Sequence, residues 1–476
     1  MKKTVSANRL AKALNAHGII AKRDGNIIKV ESSKNSSVKA EILLPDSLPL
    51  EMKAVKQLLD FAGISHQNGG HVCKACATPD FHPGSLVPVG SVLVTSHDLV
   101  VPQSVGTDIN CGLRLNVANI PLDRFLSGKK RLIELLKGDL LEGARNVPTT
   151  PQAMTALFQH GIGSFWSEMR GLREGLFSSV NFDQVQNEVS KLFHASHIAG
   201  NASYAPEALQ DVRRGVLRDP GLATVGGGNH FVEFQYVSEI SNRHRAYDLG
   251  VKSGQIAIMI HTGSRDVGFY VGRRWMDIAK AEWPKGLKHP ESGIYGLTGL
   301  LAEEYLTAMH SAAHYADANR ALIMEIVRMR MRQVYGDCEI PMVTDVPHNI
   351  CLSESIGNVH RKGATPAHKD QPLLIPGSMG DHSYLLDGLG SERWASSASH
   401  GAGRAVSRTE MTWKSKNELG TVAGMLQFEC ITLKEERRIE EAPSAYKPIG
   451  PVINSQVEEG LVTPIARLTP IMTFKA

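Results

Sequence analysis

The stretch "VGTDINCGLRL" (105–115) decides how the rest of the chain is read. It follows an apolar run, sets Asp108 and Cys111 three residues apart among glycines, and leads into more strand-like sequence. Taken alone, Cys111 has four readings: a redox thiol, a metal ligand, a nucleophile, or a small buried residue, the last being the common fate of a free cysteine. Upstream, "SLVPVGSVLVTSHDLVVPQSVG" (85–106) reads as consecutive strands and turns. Downstream, "TVGGGNHFVEFQYV" and "QIAIMIHTGSRDVG" return to strand character, whereas residues 120–215 read as mainly helical. Residues 299–336 read as one long helix, after which short strands and glycine turns are expected to dominate. Helices and strands mix without regular βαβ alternation, so the expected fold class is α+β.

With 476 residues the chain can bury a large core, and 42% hydrophobic with 21% charged residues is an ordinary globular composition. A net charge of +4 does not by itself mark a nucleic-acid binder, so any polyanion site must be a local patch. The six cysteines (73, 76, 111, 338, 351 and 430) lack the spacing of a disulfide scaffold. Asn8, Arg9 and Lys12 interrupt any apolar signal core, and no run reaches the ~18 apolar residues needed to span a bilayer. These features predict a soluble protein of a reducing compartment, cytoplasmic and without a membrane partner. A helix is expected over 6–17, with Leu10 and Leu14 on one face and Gly18 as its stop. A hairpin should turn at Asp24-Gly25, followed by a polar loop or linker, "ESSKNSSVK" (31–39). Residues 1–45 are therefore read as an N-terminal segment of helix and hairpin, and 46–476 as one large domain.

Four stretches share one design, a strand followed by a polar metal-binding residue and a glycine or turn. They are "TDINCG" (Asp108, Cys111), "GGGNHFVEF" (Asn229, His230), "IMIHTGSR" (His261) and "TDVPHN" (His348). Each histidine alone is most simply a hydrogen-bonded structural residue. Together, one aspartate, one cysteine and three histidines make a mixed donor set suited to manganese, zinc or iron. A thiolate can bridge two ions, and paired metals about 3.5–4 Å apart serve phosphoryl chemistry. A fifth stretch, "SASHGAGRAVSR" (397–408), presents His400 before small residues that could admit a phosphate, with Arg404 supplying charge. Its imidazole is able to act as a nucleophile towards phosphorus, although a turn histidine is the plainer reading. "TPDFHPG" (78–84), "HRKGAT" (360–365) and "PGSMG" (376–380) are loops suited to phosphate contacts, with Arg361 and Lys362 as candidate cations.

Other features have bland readings. Cys73 and Cys76 form a lone CxxC, read as packed residues. His310 and His314 lie one helical turn apart without a third ligand, which favours packing or surface roles. Arg328, Arg330 and Arg332 read as a solvated helix face or part of a track for a polyanion, and Arg213 and Arg214 share that ambiguity. In a regular strand Asn229 and Glu233 would face one side and His230 the other, so the preceding glycines must bend the chain if all three line one cleft.

Taken in order, PDFHPG, VGTDINCG, GGGNHF, HTGSR, PHN, HRKGA, PGSMG, HGAGR and EAPSAYK resemble the motif series of the RtcB family of RNA ligases, from about residue 75 to the end. The resemblance implies a large mixed α+β catalytic domain with sheets and helices around a central metal and nucleotide cleft. It implies two Mn2+ ions with Cys111 bridging, Asp108 and His230 completing one site, and His261 and His348 the other. It implies that His400 takes GMP from GTP as a covalent guanylate. Asn229, Glu233, Ser383, Tyr446 and Lys475 would hold the nucleotide, with Asp80 nearby and the backbone at Ala402 meeting it. The implied substrates are RNAs with broken ends, such as tRNA halves, and an archease-type activator is an expected partner. The sequence departs from the common family forms at Asp266, Pro347, Asp381 and Pro448. A metal-dependent phosphohydrolase of RNA ends, or a non-catalytic RNA-end binder, are the competing readings.

Overall fold

The computed structural model describes residues 12–194, 198–417 and 429–476. Two large sheets build the fold, and its class is α+β as expected. In the eight-stranded sheet the order is Met342–Pro347, Gly112–Ala118, Ile256–Thr262, Phe231–Ile240, Val462–Lys475, Ser383–Gly388 and Pro372–Ile375, with Glu429–Thr432 parallel to Val462–Lys475. The period-two pattern of its central strand explains the layering. Ile256, Ile258 and Ile260 enter the helical core, while Ala257 and Met259 enter a smaller core on the opposite face. His261 continues the second series and so points away from the helices.

Leu300–Tyr335 is the predicted long helix, 36 residues and roughly 54 Å at 1.5 Å per residue. From Ser311 to Arg328 every residue is buried, so this stretch has no solvent face. The arginines expected to form a solvated face or an RNA track are instead structural. Arg328 pairs with Glu188 and Glu325, Arg330 with Asp139 at 2.6 Å, and Arg332 donates to the Ser179 carbonyl. Burial demands partners for such cations, and the alternation with methionine conceals which side faces them. His314 is buried against the Phe158 carbonyl and His310 reaches the Ala199 carbonyl, both packing roles.

The seven-stranded sheet runs Ile19–Asp24, Ile27–Ser32, Asn35–Leu43, Val72–His82, Val89–Thr95, Gly357–Lys362 and Asn349–Glu354. Asp24 pairs with Ile27, so the turn residues are Gly25 and Asn26, one position beyond the expected turn. "ESSKNSSVK" is not a linker: Ser32 pairs with Asn35 in a second tight hairpin, and Asn35–Leu43 is a strand. Its first half is polar because only Glu41 and Ile42 pair with the next strand, leaving that half exposed. Most of the helix expected over 6–17 lies outside the described residues; residues 12–15 are helical, with Leu14 buried and Gly18 at φ +73°. "PQSV" is a helical turn opened by Pro102 rather than part of a strand.

The C-terminal part also differs from the expected run of short strands. It contains helices Arg408–Asn417, Glu435–Glu440 and Ile449–Glu458, and a 14-residue strand, Val462–Lys475. Pro464 and Pro470 make that strand look broken in the sequence, but both fall at register shifts of its ladders, where a missing N–H is tolerated. Among the described residues no helix is long and apolar enough to cross a membrane.

Candidate active site

The candidate side chains collect where the two sheets meet. Strand Met342–Pro347 belongs to the eight-stranded sheet and Asn349–Glu354 to the other, so His348 is the residue at which the chain changes sheets. Its N–H donates to the Cys111 carbonyl at 2.8 Å, and the Asn110 N–H donates to the Asn349 carbonyl at 2.8 Å. The pairings Gly112↔Thr262 and Leu113↔His261 bring the end of the Cys111 loop beside His261. Asn229 and His230 precede strand Phe231–Ile240 in a turn whose glycines, Gly226 and Gly228, have positive φ. This bend lets Asn229 and Glu233 line the cavity while His230 reaches the cluster behind it. Glycine is required at 263: a Cβ there would lie 2.2 Å from the Asp108 carboxylate.

Four nitrogen or sulfur donors and one carboxylate converge. Cys111 Sγ lies 3.2 Å from His230 Nε2 and 3.3 Å from His261 Nε2. His261 Nε2 and His348 Nε2 are 3.2 Å apart, and His230 Nε2 lies 2.9 Å from Asp108 Oδ2. Two triads share the cysteine: Asp108, Cys111 and His230, and Cys111, His261 and His348. Burial, then the Asp108 charge, pushes the Cys111 thiol well up. Burial and neighbouring imidazoles push His261 and His348 well down. Burial opposes ionisation of Asp108 too, but the His230 beside it holds the carboxyl well below the usual range. Three imidazoles, a thiol and a carboxylate turned to one point form a donor set that fits divalent metal ions, which would replace the crowded N···N and S···N contacts with bonds.

His400 lies next to this cluster, its ring centroid 4.7 Å from that of His348. Gly403 has φ +75°, and a Cβ there would strike the Asp80 carbonyl at 2.2 Å, so the loop can close only on glycine. His400 Nδ1 lies 2.6 Å from Asp80 Oδ2, and the His400 backbone N–H donates to the same oxygen at 3.2 Å. Burial works against the Asp80 anion, but the bond and charge of His400 outweigh it and hold the carboxyl below its ordinary range. A carboxylate can only accept, so in the neutral ring it is Nδ1 that carries the proton and Nε2 that keeps its lone pair. Asp80, expected among nucleotide contacts, is fully buried, does not line the cavity and bonds to His400 instead. Lys447 braces this loop by donating to the Pro79 and Phe81 carbonyls.

Asn229, Glu233, Ala402, Tyr446 and Lys475 also contribute to the cavity wall. Burial raises the Glu233 carboxyl to about 7, against the opposing bonds from Thr473 and Gln235. Ser383 sits beneath this wall, accepting from Gln235 Nε2 at 2.9 Å. The Ala402 N–H is already committed to the Pro376 carbonyl at 3.1 Å. Glu441, Arg408 and His82 also line the cavity but were not singled out in the sequence. Glu441 is buried among Arg404, Arg408 and Tyr446, and its motif position in EAPSAYK was the available signal. Lys362 lines the cavity, whereas Arg361 is fully buried against Glu354 and Ser397 and is no phosphate ligand.

Several sequence peculiarities fall outside the cavity. Asp266 is exposed in the first turn of helix Arg265–Ala281, where an anion suits the helix dipole; the strained residue is Arg265, at φ +49°. Pro347 ends its strand opposite Gly112, Asp381 accepts from the His382 N–H, and Pro448 precedes helix Ile449–Glu458. Cys73 is exposed and Cys76 buried, as their odd spacing along one strand dictates, so they form no pair. Arg213 and Arg214 lie at the surface beside Asp211.

Comparison with known proteins agrees with this arrangement. The family model described as tRNA-splicing ligase RtcB matches residues 59–476. A tRNA-splicing ligase RtcB of Thermococcus kodakarensis is 32% identical, over 93% of this chain and 95% of its own length. The RNA-splicing ligase RtcB of Mycobacterium bovis is 30% identical, over 85% of this chain and 98% of its own. A tRNA-splicing ligase RtcB of Archaeoglobus fulgidus is 30% identical, over 90% of this chain and 92% of its own. With the motifs gathered around one cavity and the match running across most of its length, the chain belongs to the RtcB family.

Proposed function

We propose that this protein is an RNA ligase that joins an RNA 3′-phosphate or 2′,3′-cyclic phosphate end to a 5′-hydroxyl end through a His400–guanylate intermediate, using GTP. The observation that carries this reading is His400, bound at Nδ1 by a buried carboxylate and placed in a cavity shared with the Cys111 cluster and the Glu233–Tyr446–Lys475 wall. The relatives named as tRNA-splicing ligases support the substrate class.

Two divalent ions, manganese foremost, would be held by Asp108, Cys111 and His230 and by Cys111, His261 and His348, and when bound would draw charge from the phosphate oxygens. His400 Nε2 attacks the α-phosphorus of GTP; the P–N bond forms, the bond to the β-phosphate oxygen breaks, and pyrophosphate leaves. The positive charge that develops on the imidazole is offset by Asp80, which keeps the Nδ1 proton in place. A 3′-phosphate oxygen of RNA then attacks the guanylyl phosphorus, and the P–N bond breaks to return His400. The 5′-hydroxyl oxygen attacks the activated 3′-phosphorus and gives up its proton to solvent, and the anhydride bond to the guanylyl group breaks, giving a phosphodiester and releasing GMP. A cyclic end takes up water first to become the 3′-phosphate.

Glu233 and Lys475 supply an acceptor and a donor to the guanosine, Tyr446 and Asn229 flank it, and Ser383 acts from beneath through Gln235. An archease-type activator remains the expected partner. Six free cysteines accord with a cytoplasmic setting.

Mass spectrometry after incubation with GTP and manganese tests this function. The expected product is an acid-labile GMP adduct on His400, lost in His400→Ala while bound metal is retained. An unmodified protein that removes phosphate from RNA ends would establish the phosphohydrolase instead, and RNA-end binding without turnover the non-catalytic reading.

A further inference from the structure

Beneath the Cys111 cluster, one turn of the long helix Leu300–Tyr335 bonds to the backbone beside Cys111 and beside His261. The Arg320 side chain is fully buried, and its Nη1 donates to the carbonyl of Asn110 at 2.8 Å and to that of Thr262 at 3.1 Å. Asn110 immediately precedes Cys111, and Thr262 immediately follows His261. The guanidinium lies close under the loop, since a Cβ on Gly112 would stand 3.2 Å from its central carbon. Two further donors are anchored, one on Nε to Asp345 and one on Nη2 to Asp317, each at 2.8 Å. Asp317 also accepts from the Asn110 side chain at 2.9 Å, which holds that residue in its left-handed conformation, φ +53°.

Asn319 completes the grip. Its Nδ2 donates to the Gly263 carbonyl and the Thr224 carbonyl, each at 3.1 Å, and its Oδ1 accepts the Thr224 N–H at 2.9 Å. Gly263 abuts Asp108, and Thr224 opens the glycine turn that leads to Asn229 and His230. Neither Asn319 nor Arg320 lines the cavity. We propose that Asn319 and Arg320 are positioning residues that preset both metal triads, one guanidinium nitrogen tying the Cys111 loop to the end of the His261 strand. The proposal rests on the metal reading given above. The planar fork is essential to it, because an ammonium cannot serve two carbonyls and two carboxylates in these directions. Arg328 provides the comparison, being equally buried and ion-paired on the same helix but without contact to any ligand loop.

The test uses the full chain stripped of metal with a chelator and then given Co2+, read by the thiolate-to-cobalt absorption band and by the metal bound per chain. Arg320→Lys is expected to weaken Co2+ binding at least tenfold and to shift or diminish the band. Asn319→Ala is expected to act in the same direction. Arg328→Lys should lower Tm and leave both readings unchanged. Should Arg320→Lys fail to fold, Asn319→Ala decides alone. Wild-type affinity and band in both variants, or an equal loss in Arg328→Lys, overturns the inference. A wild-type protein with no such band overturns the metal reading and the inference with it.

Discussion

Replacing Asp80 by asparagine isolates the role of its charge, and the surroundings dictate how the amide must sit. Asp80 Oδ2 receives the Nδ1–H and backbone N–H of His400, while Oδ1 receives the Thr78 hydroxyl at 2.6 Å. The backbone N–H cannot reverse, so the amide oxygen must face His400 and the NH2 group must face Thr78. Thr78 accommodates this by turning its hydroxyl towards the Gly90 carbonyl, already 3.2 Å away. The Nδ1–H tautomer therefore survives in Asp80→Asn, and only the charge is lost. Hydrogen bonds to charged groups are worth about 1.5–3 kcal/mol and neutral ones about 0.5–1.5, a difference of roughly 1–2 kcal/mol. At about 1.36 kcal/mol per tenfold, guanylylation should slow by roughly 5–30-fold. Asp80→Ala removes the acceptor entirely and should slow it by on the order of 10²–10³. The assay is single-turnover transfer from α-labelled GTP at saturating nucleotide and manganese. Labelling of Asp80→Asn at the wild-type rate would refute the role of the carboxylate. A loss of about 10⁴, the size seen when such a carboxylate is exchanged and the imidazole takes the wrong tautomer, would refute the Thr78 argument.

Cys111→Ala should lose both metal ions, since each triad is left with two ligands; metal analysis after dialysis checks this, and retention of two tightly bound ions would rule out a shared thiolate. Glu233 makes stability pH-dependent: with its folded carboxyl raised to about 7, the folded state holds a proton that the unfolded chain has released. Stability should therefore decline as pH rises from the ordinary carboxylate range to about 7, and Glu233→Gln should flatten that slope; parallel Tm profiles for the two proteins would contradict it. Arg361→Ala leaves Glu354 without its buried partner and should lower stability by about 3 kcal/mol. It should not change the salt dependence of RNA affinity, and a reduced salt slope would restore Arg361 as a phosphate contact.

The periodic parts of the fold were legible in the sequence because local pattern governs them. The alternation in "QIAIMIHT" places Ile256, Ile258 and Ile260 on one face and His261 on the other, and the unbroken run 300–335 could only be one helix. The strand Val462–Lys475 was not legible, because Pro464 and Pro470 read as breaks until their neighbours in the ladder are known. The polar strand Asn35–Leu43 was hidden for the same reason, its pairing being invisible in its composition.

The site divides along a similar line. Residue types and glycine spacing around Asp108, Cys111, His230, His261, His348 and His400 are local properties, and the sequence alone singled these residues out as candidates. Which of them touch, and what holds them, depends on contacts between segments hundreds of residues apart. Only the tertiary structure placed Asp80 behind His400 rather than in the cavity, turned Arg361 and Arg328 into buried ion pairs, and set Arg320 beneath two ligand loops. A charged side chain reads the same in sequence whether it faces solvent or a buried partner, and the partner that satisfies it is supplied by the fold.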